Sequence, residues 1–249
     1  MISQAAERKV SMKRQREQTD NGMMQREIER IQQYAEEYDI VPIKKEIFAD
    51  VITPISLLRK LAVKHRRFYL LESVEGGEKW GRYSFLGYDP VMRVTCSKKQ
   101  VTIETGNGTE TMETEDAFEV VRRILNRYRS PKLDDMPPFT GGFVGYFAYA
   151  VIAHAEPVLD IKRGEFHDFD LMLFDKVIVY DQLRQKMAVV ANVGTKGDVA
   201  GHYRKAVREI EEMIGQIHEQ VNIPEEKKAH KVKFSCNVTK EQYSDMVER

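Results

Sequence analysis

Cysteine is scarce in this sequence, and so are tryptophan, net charge and long apolar runs. The two cysteines, Cys96 and Cys236, lie far apart and match no metal-binding spacing. Two thiols in a reducing compartment are therefore expected rather than a disulfide. Lys plus Arg and Asp plus Glu both total 39, so the formal net charge is zero. Without a basic excess, neither nucleic acid nor an anionic membrane is indicated as a partner. The most apolar stretch, residues 141–155, is interrupted by glycines and falls short of the roughly 20 residues a spanning helix needs. It reads as a buried strand running into a turn. A secretory leader is not visible either, and a soluble, cytoplasmic protein is expected.

Catalytic signatures are missing as well. There is no His-Glu-x-x-His, no P-loop, no dinucleotide fingerprint and no Gly-x-Ser-x-Gly elbow. The six histidines are scattered, with no carboxylate at a telling spacing. His167-Asp168-Phe169-Asp170 reads as a polar loop ahead of a strand rather than as a metal site. No catalytic residue and no metal ligand is assigned from the residues.

What is present is an α+β pattern, mostly antiparallel strands with flanking helices. A hydrophobic content of 42% over 249 residues allows a substantial core. Residues 1–22 are polar and without apolar period, and are expected to be a disordered leader. Residues 25–38 carry Ile28, Ile31, Ala35 and Tyr38 on one helical face. Thr53-Pro54 opens a second helix with Leu57, Leu58 and Leu61 as its stripe. It ends in Lys64-His65-Arg66-Arg67, cations that suit a helix C-terminus better than a phosphate site. Strand patterns then run over 68–73, 82–86, 91–97, 100–105 and 109–112, with Gly106-Asn107-Gly108 as a tight turn. This reads as one antiparallel meander.

Thr114 is expected to cap a helix bearing Val121, Ile124, Leu125 and Tyr128. The glycines of 139–147 suggest close packing of a strand against another backbone. Residues 171–180 and 187–193 form a hairpin-like pair. Tyr203, Val207, Ile210, Ile214, Ile217 and Val221 mark a long amphipathic helix that packs on the protein's own sheet. Residues 23–224 are thus read as one unit and 225–249 as a linker leading into a new one. There, 231–236 alternates like a strand and Thr239-Lys240-Glu241-Gln242 matches a capping box. A freshly capped apolar face at the end of the sequence is the expected mark of a longer protein.

One block invites a ligand. Phe68-Tyr69-Leu70-Leu71-Glu72-Ser73 leads through a glycine turn, past the lone Trp80, to Gly81-Arg82-Tyr83-Ser84-Phe85-Leu86-Gly87. Leu71 and Ser73 share one strand face, Leu70 and Glu72 the other. A carboxylate and a hydroxyl beside apolar residues suit a zwitterionic amino acid: Glu accepts from the ammonium, Ser bonds either polar end, and the apolar residues wall the side chain. A strand that simply ends in Glu-Ser is equally compatible with these residues.

These motifs, with Gly141-Gly142-Phe143-Val144-Gly145-Tyr146-Phe147 and Asp168-Phe169-Asp170-Leu171-Met172-Leu173-Phe174-Asp175 in the same order, resemble the N-terminal region of the large subunit of anthranilate synthase. Enzymes that make aminodeoxychorismate share the pattern more loosely. Ala150 departs from it, since an aspartate often follows Gly-Tyr-Phe-x-Tyr. The resemblance implies a subunit that converts chorismate and ammonia to anthranilate and pyruvate with Mg2+, the ammonia coming from a glutamine amidotransferase partner. It also implies feedback inhibition by L-tryptophan bound in this region, with Glu72 and Ser73 as effector contacts and Leu71 as a wall. Residues 234–243 resemble the opening of the half that carries the chorismate and Mg2+ sites. A free-standing amino-acid-binding module is the alternative from a different class.

Overall fold

The computed structural model describes residues 21–50, 52–72, 81–154, 156, 158, 164–223 and 235–248. Among these residues, ten strands form two five-stranded antiparallel sheets. The first sheet has the order β1 (Ile40–Phe48), β10 (Lys186–Gly194), β9 (Lys176–Asp181), β3 (Tyr83–Tyr88), β2 (Phe68–Glu72). The second has the order β6 (Gly108–Glu113), β5 (Gln100–Thr105), β4 (Met92–Ser97), β8 (Phe169–Phe174), β7 (Gly142–Phe147). Helices cover one face of each sheet, which makes the fold α+β.

Three helices pack on the first sheet: α1 over 21–32, α2 (Pro54–Lys64) and α4 (Val199–His218). Ile31, Leu57 and Ile217 from the helices meet Val41, Leu86, Ile178 and Val189 from the strands, all essentially inaccessible to water. Thr53 accepts a hydrogen bond from the Ser56 N–H, and Pro54 sits where no donor is needed. Helix α4 lies against the sheet as its stripe foretells, centred on Ala206, Ile210, Met213 and Ile217, with Tyr203, Val207 and Ile214 on its flanks. The second sheet is covered by α3 (Ala117–Leu125) through Val120, Val121 and Ile124.

Several expectations need correction. The first helix already includes residues 21 and 22 and ends at 32, where tight i−3 bonds from Tyr34 and Ala35 wind it off before Tyr38. Residues 1–20 lie outside the described ones. The expected single meander is two ladders: β2–β3 belongs to one sheet and β4–β5–β6 to the other. The chain changes sheet at Asp89-Pro90, where Asp89 has a φ of 49° and proline offers no ladder N–H. The run 171–180 also splits between the sheets, at Asp175. Here Asn192 Nδ2 donates to the Thr140 carbonyl at 2.8 Å and to the Asp175 carbonyl at 2.9 Å, tying this second crossing to the segment that leads into β7.

Asp116, not Thr114, caps α3, its carboxylate accepting from the Glu119 N–H at 2.9 Å. Thr114 instead holds the Asp116 N–H at 3.2 Å. Leu125 is 43% exposed rather than part of the stripe. The glycine-rich strand β7 is an edge strand with Tyr146 and Phe147 exposed, and a 3-10 helix, Tyr149–His154, follows it. The packing role of its glycines holds. A Cβ at Gly145 would stand 1.9 Å from the Asp170 carbonyl oxygen, and one at Gly141 would stand 2.8 Å from the Phe174 carbonyl.

Helix α5 (Lys240–Glu248) opens with the expected capping box: the Thr239 N–H donates to Gln242 Oε1 at 2.8 Å, and the Gln242 N–H donates to Thr239 Oγ1 at 3.2 Å. Its apolar residues Tyr243, Met246 and Val247 are exposed. Of the expected strand 231–236, residues 231–234 lie outside the described ones, and 235 and 236 are not in a strand. Among the described residues, no helix is long and apolar enough to cross a membrane.

Candidate functional site

Strand β2 forms an edge of the first sheet, and its register with β3 sets the site. Leu71 lies opposite Phe85, and Glu72 opposite Ser84. Alternation therefore sends Tyr69 and Leu71 to the face away from the helices, with Tyr83 and Phe85. Leu70 and Glu72 face the helix side with Ser84 and Leu86. Leu71 is 48% exposed, and Glu72 is exposed as well. Ser84 is fully buried, donates to Glu72 Oε1 at 3.4 Å and accepts from Gln182 Nε2 at 3.2 Å. Glu72 is thus oriented by a hydroxyl. Ser73 and Trp80 lie outside the described residues. A ligand that touches both Leu71 and Glu72 has to sit at the end of β2 rather than over one face.

The face that carries Leu71 is aromatic. Tyr83 and Phe85 stand 6.1 Å apart, and Phe139 meets Phe85 edge-on at 5.7 Å. Tyr69 lies across Gly87, where a Cβ would be 2.3 Å from its ring, and meets Phe174 edge-on at 4.7 Å. Burial drives the Tyr69 phenol well above its usual range, and its hydroxyl has no hydrogen-bond partner among the described residues. A cavity of about 740 Å3 opens between Tyr83, Phe85 and the proline-rich loop 131–140, with Leu133, Met136 and Phe139 in its walls.

Charge flanks this apolar shelf. Arg82 grips Asp181 through two bonds, at 2.9 and 2.5 Å, and its guanidinium lies 4.7 Å from the centre of the Tyr83 ring. Burial raises the Asp181 carboxyl, but Arg82 and the backbone N–H groups of Arg184 and Leu183 outweigh it and hold the group below its usual range. Arg82, Asp181, Lys44, Glu46 and Lys186 line a second cavity of about 310 Å3 beside the first. In the sequence, Tyr83, Ser84 and Phe85 stand within a motif with no role of their own. The strand alternation that separates Leu71 from Glu72 would have paired them across the turn.

A second constellation was not foreseen. Cys96 at the end of β4, His154 at the end of the 3-10 helix and Asp168 just before β8 bring a thiol, an imidazole and a carboxylate together. One ligand atom from each lies within 4.8 Å of the others. His154 Nε2 is 2.9 Å from Asp168 Oδ2, so a histidine does have a carboxylate partner that spacing alone did not reveal. His65 has one too, Asp89 at 2.7 Å, and its ring packs on Tyr88. Among the described residues, the Cys96–His154–Asp168 group alone has three donors poised for a metal. A thiol in the set does not suit Mg2+, a hard ion that takes oxygen ligands. This group therefore does not fit the Mg2+ that the resemblance implies and places in the other half of the subunit.

Residues 66–249 match the family model of the chorismate binding enzymes. The chain is 33% identical over 218 residues to the anthranilate synthase component 1 of Acetivibrio thermocellus, which covers 84% of this chain and 44% of that protein. It is 31% identical over 228 residues to the protein of the same name from Aquifex aeolicus, covering 89% and 46% respectively. The chain thus spans less than half the length of these relatives. A crystal structure of anthranilate synthase component I from Streptococcus pneumoniae shares the fold with a TM-score of 0.52 at 17% identity, covering 81% of this chain and 43% of that one.

Proposed function

The chain belongs to the chorismate-binding enzyme family, and from that footing we propose that it is the amino-terminal, tryptophan-sensing part of an anthranilate synthase large subunit. The whole subunit would convert chorismate and ammonia to anthranilate and pyruvate, with a glutamine amidotransferase partner as the ammonia source. Mg2+ and chorismate would be held by the other half of such a subunit, so the chain alone turns over no chorismate. Its own task is to hold an effector. Glu72 accepts from the ammonium of L-tryptophan, Ser73 bonds its polar end, and Leu71 walls the indole.

The observation that carries this reading is the placement of Glu72. Its carboxylate stands exposed at the end of an edge strand, oriented by the buried Ser84 and next to a face bearing Leu71, Phe85 and Tyr83. An indole needs apolar contact and an ammonium needs an acceptor, and both lie within a residue of each other along β2. Calorimetric titration of the chain with L-tryptophan tests it. Weak saturable binding is expected, reduced at least ten-fold in Glu72→Gln and in Ser73→Ala. Equal binding by both variants, or no saturable binding by the parent chain, would overturn the assignment.

A further inference from the structure

We propose that Cys96, His154 and Asp168 form a Zn2+ site in the second sheet, separate from the effector edge. The donor set decides the metal. One thiolate, one imidazole and one carboxylate match the borderline-soft Zn2+, and three protein ligands leave a fourth position for water. The ligand atoms already lie within 4.8 Å of one another, and Zn2+ bond lengths call for separations of about 3–4 Å. A small contraction around the sulfur completes the geometry.

The surroundings hold the donors in place. The Asp168 N–H donates to the Cys96 carbonyl at 2.7 Å, the Ala148 N–H donates to the Asp168 carbonyl at 2.8 Å, and the Lys98 N–H donates to Asp168 Oδ2 at 2.9 Å. Such outer partners fix the direction of a ligating carboxylate. Cys96 is fully buried, Asp168 is 2% exposed, and the Phe118 ring meets His154 edge-on at 6.1 Å, so an apolar wall shields the site.

Binding balances as a proton exchange. Cys96 Sγ, which points at the Lys98 carbonyl at 3.4 Å, releases its proton to solvent and bonds the metal. His154 takes the tautomer with its proton on Nδ1, and the metal replaces the hydrogen between Nε2 and Asp168 Oδ2. Nothing is oxidised or reduced.

The test is titration of the metal-stripped, 249-residue chain with Co2+ as the spectroscopic stand-in, followed by Zn2+. One equivalent of Co2+ is expected to give a thiolate-to-metal charge-transfer band that Zn2+ abolishes. Cys236→Ser should keep the band, Cys96→Ser should lose it, and His154→Ala should weaken binding at least ten-fold. Zn2+ should also raise the melting temperature of the parent chain and leave that of His154→Ala unmoved. Should Cys96→Ser fail to fold, Cys236→Ser decides alone, because it retains a single thiol: a band supports the site, and no band overturns it. A band that vanishes with Cys236, or none in the parent chain, also overturns it.

Discussion

The end of β2 and the crossing of β4 with β8 both present a carboxylate next to a polar partner, in opposite surroundings. Glu72 is exposed and, among the described residues, receives one long bond, 3.4 Å from Ser84. Asp168 is 2% exposed and meets the Lys98 N–H and His154 Nε2, each at 2.9 Å. Burial without partners is costly for a charge, so the second carboxylate has to be built into a closed network. The first can stay open because water serves it. An open carboxylate at the edge of an aromatic shelf is suited to a transient ligand; a closed one among a thiol and an imidazole is suited to a resident ion.

The contrast can be broken most forcefully at Asp168. Asp168→Ala removes the partner of His154 and of the Lys98 N–H inside the second sheet, and chemical denaturation should show a loss of about 3 kcal/mol. A loss below about 1 kcal/mol would mean that the crossing is not the closed network described. Gly145→Ala strikes the same sheet through the backbone. Its Cβ would stand 1.9 Å from the Asp170 carbonyl, so β7 must shift, with an expected cost of about 2 kcal/mol in the same assay.

Asp175 sharpens the rule from the other side. Burial raises its carboxyl above the usual range, and its Oδ1 has no hydrogen-bond partner among the described residues. The folded state therefore holds this proton more tightly than the unfolded chain does. Its contribution is complete below the unfolded value and is lost as pH rises through the folded one. Asp175→Asn should stabilise the protein by about 1 kcal/mol at pH 7, with the gain shrinking as the pH falls toward the acid range. The smallest effect is expected at the open site: Glu72→Gln should leave stability within about 0.5 kcal/mol of the parent.

The legible parts of this fold are local. The turn at Gly106-Asn107-Gly108, the cap at Thr53 and the box at Thr239 follow from residues a few positions apart, and the pairing of β2 with β3 from two strand patterns next to each other in the chain. Strand alternation by itself also puts Leu71 and Glu72 on separate faces. The sheet changes at Asp89 and Asp175 are hidden, because an apolar strand pattern looks the same whichever sheet receives it. Cys96, His154 and Asp168 stay hidden for a related reason: they are separated in sequence and meet because β8 pairs with β4 on one side and with β7, which leads to His154, on the other. The role proposed for Glu72 comes from the family resemblance and the physics of strand ends together, whereas Ser84 emerges only from the register.

Amide chemical shifts of the 249-residue chain during titration with L-tryptophan, with L-phenylalanine as the control, test the proposed effector edge most directly. The account predicts saturable, tryptophan-selective shifts concentrated at Leu70, Leu71 and Glu72 and at their partners Ser84 and Phe85, and their loss in Glu72→Gln. Shifts centred elsewhere, or a β2 that does not respond at all, would contradict it.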